Sequence, residues 1–285
     1  MSGISKVETI FCNENNYDSI YQSDRYGFNN PDQEWDSKKI EYLLIGDSFT
    51  HGACVNRPHD IASVLRLHSK KNVLNLGQGG NGPLLEYATL REYLMPNIKN
   101  VLWLYYEWND LADLNEELSN KILNKYLNNK EFKQNLKFKQ NQIDEFLNDF
   151  IERGDKIYNA KIIKFIKLSN IRTLLLHSTL QPPTPPPPEL AVILKSAKEL
   201  VEANNAKLHF IYLPSFERYQ KMLKIDFKQE INNIVIDLGI EFIDIDKEVF
   251  KKENNPLKLF PFERPGHYNV EGYKKVALKI YEKIK

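Results

Sequence analysis

Four short stretches of the sequence carry groups that together can make and break an acyl–oxygen bond. In the first, Gly46-Asp47-Ser48-Phe49-Thr50-His51-Gly52, a serine follows directly on an apolar run and so falls on the tight turn between a strand and a helix. A serine there exposes its hydroxyl and turns its backbone N–H into the site. It becomes a nucleophile when a base takes its proton and donors hold the oxyanion formed on attack. In the second, Asn75-Leu76-Gly77-Gln78-Gly79-Gly80-Asn81-Gly82-Pro83, the glycines leave backbone amides bare for a small anion. The third, Glu107-Trp108-Asn109-Asp110, offers the Asn109 amide as a donor into the same crevice. The fourth, Arg264-Pro265-Gly266-His267-Tyr268-Asn269, places His267 as a general base. Each is weak alone: Gly-Asp-Ser is also a common helix N-cap, and a single histidine is more often structural or at the surface than catalytic.

The elements that must position these groups are legible as short apolar runs, each ending in polar or glycine-rich residues. The runs are Tyr42 to Ile45, Asn72 to Leu76, Val101 to Tyr106, Leu208 to Leu213 and Glu241 to Ile245. Between them lie helical patterns over about 57–69, 84–95, 189–204 and 216–238, and 270–284 closes the chain. Strands alternating with helices predict parallel pairing through right-handed crossovers. The expected fold is a three-layer α/β/α sandwich around a mostly parallel five-stranded sheet. In such sheets the ligand site lies beyond the carboxyl ends of the strands, where the first three stretches begin.

Two regions interrupt the rhythm. Residues 1–40 contain the turn-rich Ser23-Asp24-Arg25-Tyr26-Gly27-Phe28-Asn29-Asn30-Pro31 and read as an arm that wraps the domain as loop. Residues 111 to about 180 read as a helical insertion, with Ile143, Phe146, Leu147, Phe150 and Ile151 on one helical face. Its basic half, Lys121 to Lys139, and its acidic half, Asp144 to Asp155, predict an antiparallel helix pair whose charges neutralise each other. A proline-rich connector, 182–188, returns the chain to the sheet. Because the site needs both Ser48 and His267, residues 41–285 read as one catalytic domain.

Taken together, the order and setting of the four stretches resemble the SGNH (GDSL-like) hydrolase family, whose four blocks supply Ser, Gly, Asn and His in that order. Gly46-Asp47-Ser48 matches the first block. Asn75-Leu76-Gly77-Gln78-Gly79-Gly80 matches Asn-x-Gly-x-x-Gly, Asn109-Asp110 the third block, and His267 with the following helix the last. The resemblance implies Ser48 as nucleophile, Gly80 and Asn109 as oxyanion donors and His267 as base. It covers about 41–110 and 190–285. Two positions depart from the family pattern. Glu107 stands where the family usually has Gly, and is read either as turned toward the site or as a charged strand end. Arg264 stands where the family has the acid of Asp-x-x-His, so the orienting group is Glu263 through a distorted turn, a backbone carbonyl, or an acid from elsewhere.

A competing reading uses the same glycines. Gly77-x-Gly79-x-x-Gly82 satisfies a dinucleotide fingerprint in the expected strand-to-helix context, with Glu107 at the end of the next strand. It leaves Ser48, Asn109 and His267 unexplained. A catalytically inactive glycan-binding form is a third reading, favoured by the missing acid. The resemblance implies a serine esterase that cleaves or transfers a short acyl group, in bacterial members often an O-acetyl group on a carbohydrate, without cofactor or metal. Phe49, Trp108 and Tyr268 flank the site positions and would suit a sugar ring or acyl group, or ordinary packing.

Composition narrows the partners. The 285 residues carry 39 Lys and Arg against 38 Asp and Glu, a formal charge of +1, which argues against nucleic acid. No apolar run is long enough to cross a bilayer, and Met1-Ser2-Gly3-Ile4-Ser5-Lys6 lacks a signal pattern. The chain as written reads as cytoplasmic, or as periplasmic or extracellular if a leader or anchor ahead of Met1 has been removed. In an oxidising compartment Cys12 and Cys54 could bridge and pin the arm beside the site; in the cytoplasm they would be plain thiols.

Overall fold

The computed structural model describes residues 2–161, 185–220 and 226–285. Its strands are β1 (Glu8–Ile10), β2 (Ile20–Gln22), β3 (Ile40–Gly46), β4 (Val73–Asn75), β5 (Ile98–Tyr106), β6 (Lys207–Leu213) and β7 (Glu241–Asp244). Its helices are α1 (Ser48–His51), α2 (Ile61–Ser69), α3 (Pro83–Tyr93), α4 (Asp110–Glu117), α5 (Lys121–Asn128) and α6 (Gln140–Lys161). After the connector come α7 (Pro188–Ala203), α8 (Phe216–Tyr219), α9 (Lys228–Asp237), α10 (Ile245–Glu248) and α11 (Val270–Ile284). Strands β3 to β7 form one sheet in the order β4-β3-β5-β6-β7, every neighbouring pair parallel.

Both faces of this sheet are covered, which is why its strands read as continuous apolar runs. Period-two alternation then splits each run between two cores. Leu43, Ile45, Val101, Trp103, Leu208 and Phe210 face the core shared with α3, α7 and α9. Tyr42, Leu44, Leu102, Leu104, Ile211 and Leu213 face the core shared with α2 and α11. Fully burying one such side chain is worth about 1.5–3 kcal/mol, so the sheet is a rigid platform.

The strand order fixes where a site can form. From β3 the chain first adds β4 on one side, then crosses to add β5 on the other, so the segments leaving β3 and β5 diverge and open a crevice between them. Gly46 pairs with Leu104 near the end of that strand pair, so Ser48 and Asn109 both lie just beyond the rim.

The arm is more ordered than the expected loop. It contains the antiparallel hairpin β1–β2 and a 3-10 turn over Asp32–Asp36. Its buried Asp24 accepts hydrogen bonds from Trp35 Nε1, Asn30 Nδ2 and the Tyr26 and Phe28 amides. Asn30 in turn clasps β4, donating to the Asn75 carbonyl and accepting from the Asn75 amide. The insertion also differs from an antiparallel pair: a short α5, a 3-10 turn over Leu136–Phe138 and the long α6. Lys130 pairs with Glu199 of α7, and Asp144 binds Ser5 of the arm, so these charges serve contacts outside the insertion. The distal part of the insertion and residues 182–184 of the connector lie outside the described residues. The pattern read as one helix over 216–238 divides into α8 and α9, with 221–225 likewise outside.

Candidate active site

Asp47 caps α1, accepting the Phe49 N–H at 2.8 Å, and so fixes the turn that presents Ser48. Burial pushes its carboxyl up to about 6, against that hydrogen bond. Ser48 is half-buried, and its Oγ lies 2.8 Å from His267 Nε2. His267 arrives on the loop before α11, whose first turn is capped by Asn269 through the Gly272 N–H.

A carboxylate from the arm reaches His267. Glu14 Oε1 lies 3.0 Å from His267 Nδ1, and Oε2 accepts the His267 backbone N–H at 2.7 Å. Burial pushes the Glu14 carboxyl up, but its hydrogen bonds to His267 and the charge of that imidazole outweigh burial and hold it below the usual carboxylate range. A carboxylate on Nδ1 places the ring proton there and leaves Nε2 to accept from Ser48. Gly266 makes room for this approach: a Cβ at that position would sit 2.5 Å from Glu14 Oε2. Of the three orienting groups considered from sequence, the acid from elsewhere is the one beside His267; Glu263 and Arg264 are exposed.

The oxyanion candidates lie on the turns after β4 and β5. A Cβ built on Gly79 would lie 3.7 Å from Ser48 Cβ, which puts the glycine turn against Ser48. Gly80 follows at φ +76°, exposed, with open space around it. Asn109 is half-buried and gives one Nδ2 proton to Asp113 at 2.7 Å, which holds the amide's orientation and leaves the other proton for a ligand. The adjoining Asp110 is buried and accepts the Tyr106 N–H, locking the turn after β5.

Most amides of the glycine run are not bare. Gly77 donates to Asn75 Oδ1 and Gln78 to the Gly46 carbonyl, and Gly77 packs so closely on α1 that a Cβ would meet the His51 amide nitrogen at 2.4 Å. Glu117 takes the amides of Gly82, Leu84 and Leu85 at the start of α3. That carboxylate occupies the place a dinucleotide pyrophosphate would need at the helix N-terminus. The described amides left free in the run are those of Gly79 and Gly80, which suits one oxyanion and not a diphosphate.

Glu107 serves the sheet. Its carboxylate receives Arg218 in a fork, the Ser215 amide at 2.7 Å and the Tyr212 hydroxyl, tying β5 to β6 and the turn beyond it. Phe49 and Tyr268 are also packing residues: Phe49 stacks on Tyr106 at 3.9 Å, and the buried Tyr268 donates to the Pro214 carbonyl. Trp108 is the one of the three flanking aromatics that is only partly buried.

Cys12 and Cys54 are joined as a disulfide with Cα atoms 5.0 Å apart, and Cys54 Sγ lies 3.3 Å from His267 Nδ1. Donor atoms of Cys12, Glu14, Cys54 and His267 fall within 4.8 Å of one another. Metal ligation by cysteine uses the thiolate, so with the sulfurs bonded to each other this cluster is a covalent tie beside the Ser48, His267 and Glu14 contacts. A cleft of about 750 Å³ runs from Gly80 toward the insertion, lined by Leu85, Ile122, Leu136 and Phe146 together with Glu116 and Gln142. No described helix is long and apolar enough to cross a membrane.

Solved structures share this architecture. A Bacillus subtilis protein aligns with a TM-score of 0.50 and 11% identity over 89% of this chain and 58% of its own. A member of the lipolytic protein G-D-S-L family from Veillonella parvula gives 0.47 at 13% identity, over 86% of this chain and 98% of its own. An acetyl xylan esterase gives 0.48 at 13% identity, over 86% of this chain and 100% of its own. At these identities the likeness is one of fold alone. No protein-family model and no curated protein matches the sequence.

Ser48 and His267, both singled out from the sequence, are brought together, and Glu14, which the sequence reading did not single out, lies beside His267. The signal available was an acid two residues from Cys12, the one possible disulfide partner of Cys54, which itself follows the nucleophile by six residues.

Proposed function

We propose that this chain is an SGNH-type serine esterase that cleaves or transfers a short acyl group, with an O-acetylated carbohydrate as its substrate. The observation that carries the reading is the continuous relay Ser48 Oγ, His267 Nε2, His267 Nδ1, Glu14 carboxylate, with contacts of 2.8 and 3.0 Å. Ser48 Oγ attacks the ester carbonyl while His267 Nε2 takes its proton. Glu14 keeps the Nδ1 proton in place and stabilises the imidazolium without itself becoming protonated. The Ser48 and Gly80 amides and Asn109 Nδ2 receive the oxyanion. Collapse expels the alcohol oxygen, which recovers the proton from His267, and water or a second hydroxyl then releases the acyl group by the same steps in reverse.

The cleft beside Gly80 supports a sugar ester, since its wall combines apolar side chains with the hydrogen-bonding groups of Glu116 and Gln142. The disulfide supports work in an oxidising, extracytoplasmic compartment. A panel of acetylated glycans and longer-chain esters, with and without acceptor sugars, tests the substrate. Acetate release from a glycan that falls roughly 10²–10³-fold in Asn109→Ala is expected. Turnover confined to long-chain esters would refute the carbohydrate assignment.

A further inference from the structure

We propose that the Cys12–Cys54 disulfide is the device that holds Glu14 on His267, so that the thiol–disulfide state of this single bond sets the catalytic power of the Ser48–His267 pair. The inference rests on the serine esterase reading. Its starting point is the exposed Arg264, which leaves the His267 loop without an acid of its own at that position. The acid is supplied instead by an arm segment outside the central sheet. Glu14 follows Cys12 by two residues, and Cys54 lies just past the helix that begins at Ser48. The bond therefore joins the acid's segment directly to the nucleophile's.

Other contacts also dock the arm, one of them from the residue next to Glu14, but none is made by the Glu14 carboxylate. Asn15 Nδ2 donates to the Cys54 carbonyl, Ser19 Oγ to the Val55 carbonyl, and the Ile20 amide to Asn56 Oδ1. The Phe11 ring stacks on His51. The hydrogen bonds of the Glu14 carboxylate both go to residue 267. A dithiol reductant delivers two electrons and two protons, leaving Cys12 and Cys54 as thiols and the reductant as its own disulfide. The arm then stays docked, but Glu14 is released from its register, and small misplacements of a positioning group are felt strongly in rate. The loss falls on turnover, because neither Cys12, Glu14 nor Cys54 lines the Gly80 cleft.

The test uses the full chain and an activated acetyl ester. Dithiol treatment and Cys12→Ser should each lower kcat roughly three- to thirty-fold with KM unchanged, and reoxidation should restore only the wild type. In a Glu14→Ala background the same changes should add nothing. A strongly downfield imidazole N–H proton signal, read by NMR without any substrate, should be present in the oxidised protein and lost in the reduced one. Unchanged kcat and an unchanged signal after reduction verified by intact mass would overturn the proposal. So would an equal loss in the Glu14→Ala background, or inhibition of the reduced protein that a metal chelator reverses, since the freed thiolates would then be capturing a metal with Glu14 and His267. An oxidised protein that keeps the NMR signal yet hydrolyses no ester would instead count against the esterase reading.

Discussion

Replacing Glu14 separates two things that a carboxylate does for a histidine base, and the two variants rank in an unexpected order. At the observed 3.0 Å, an ion pair is worth about 1.4 kcal/mol in bulk water and about 5.5 kcal/mol at the dielectric of a protein surface. The side chains of His267 and Glu14 are 21% and 32% exposed, which places the pair toward the lower figure. Losing the charge should then cost about 2 kcal/mol of imidazolium stabilisation, or roughly 30-fold in kcat, and Glu14→Ala should show that loss. Glu14→Gln should be worse. The amide oxygen is claimed by the His267 backbone N–H, now held at 2.7 Å by Oε2, so the amide NH2 faces Nδ1. Nδ1 must then accept, the ring proton moves to Nε2, and the base can no longer take the Ser48 proton. Loss of about 10⁴-fold is typical of such a trapped tautomer. Steady-state kcat on an activated acetyl ester, with thermal melts to confirm folding, reads both variants. A Glu14→Gln protein as active as wild type, or more active than Glu14→Ala, would refute the reasoning.

Three further outcomes follow from the geometry. Gly266→Ala places a Cβ 2.5 Å from Glu14 Oε2, so it should displace the acid and lower kcat by about the Glu14→Ala factor of roughly 30 while KM holds. Arg218→Met strands the buried Glu107 carboxylate and should lower unfolding free energy by about 3–5 kcal/mol in urea titrations; a loss under 1 kcal/mol would contradict the role assigned to Glu107. Asp47 has a folded pKa raised from 3.8 to about 6, so the folded state holds the extra proton and stability falls as pH rises through that window. Asp47→Asn keeps the acceptor for the Phe49 amide, and its melting temperature should gain on wild type between about pH 4 and pH 7; a difference that does not vary with pH would contradict this.

The sheet was legible because both of its faces are covered, so runs such as Val101 to Tyr106 carry apolar side chains at every position. Ser48, Gly80 and Asn109 could be singled out because each lies within a few residues of a strand end, and His267 because it stands just ahead of the closing helix. Glu14 was not, because it lies 253 residues from His267 and reaches it through an arm whose strands are three residues long, too short to show a period. Glu107 could be read two ways from its place at the end of β5. Only the position of Arg218, on a short helix after β6, shows that its carboxylate is spent on the sheet. The bare-amide reading of the glycine run holds only at Gly79 and Gly80 for a similar reason, since Glu117 returns from the end of α4 to cap α3.

Everything in the proposed mechanism depends on Ser48 being a nucleophile activated by His267. Incubation with a serine-directed phosphonate, followed by peptide mass spectrometry, tests it without a choice of substrate. One phosphonyl adduct is expected on Ser48, absent in Ser48→Ala and formed much more slowly in Glu14→Gln. No adduct on Ser48 in the folded, oxidised protein, or labelling that is unchanged in Ser48→Ala, would contradict it.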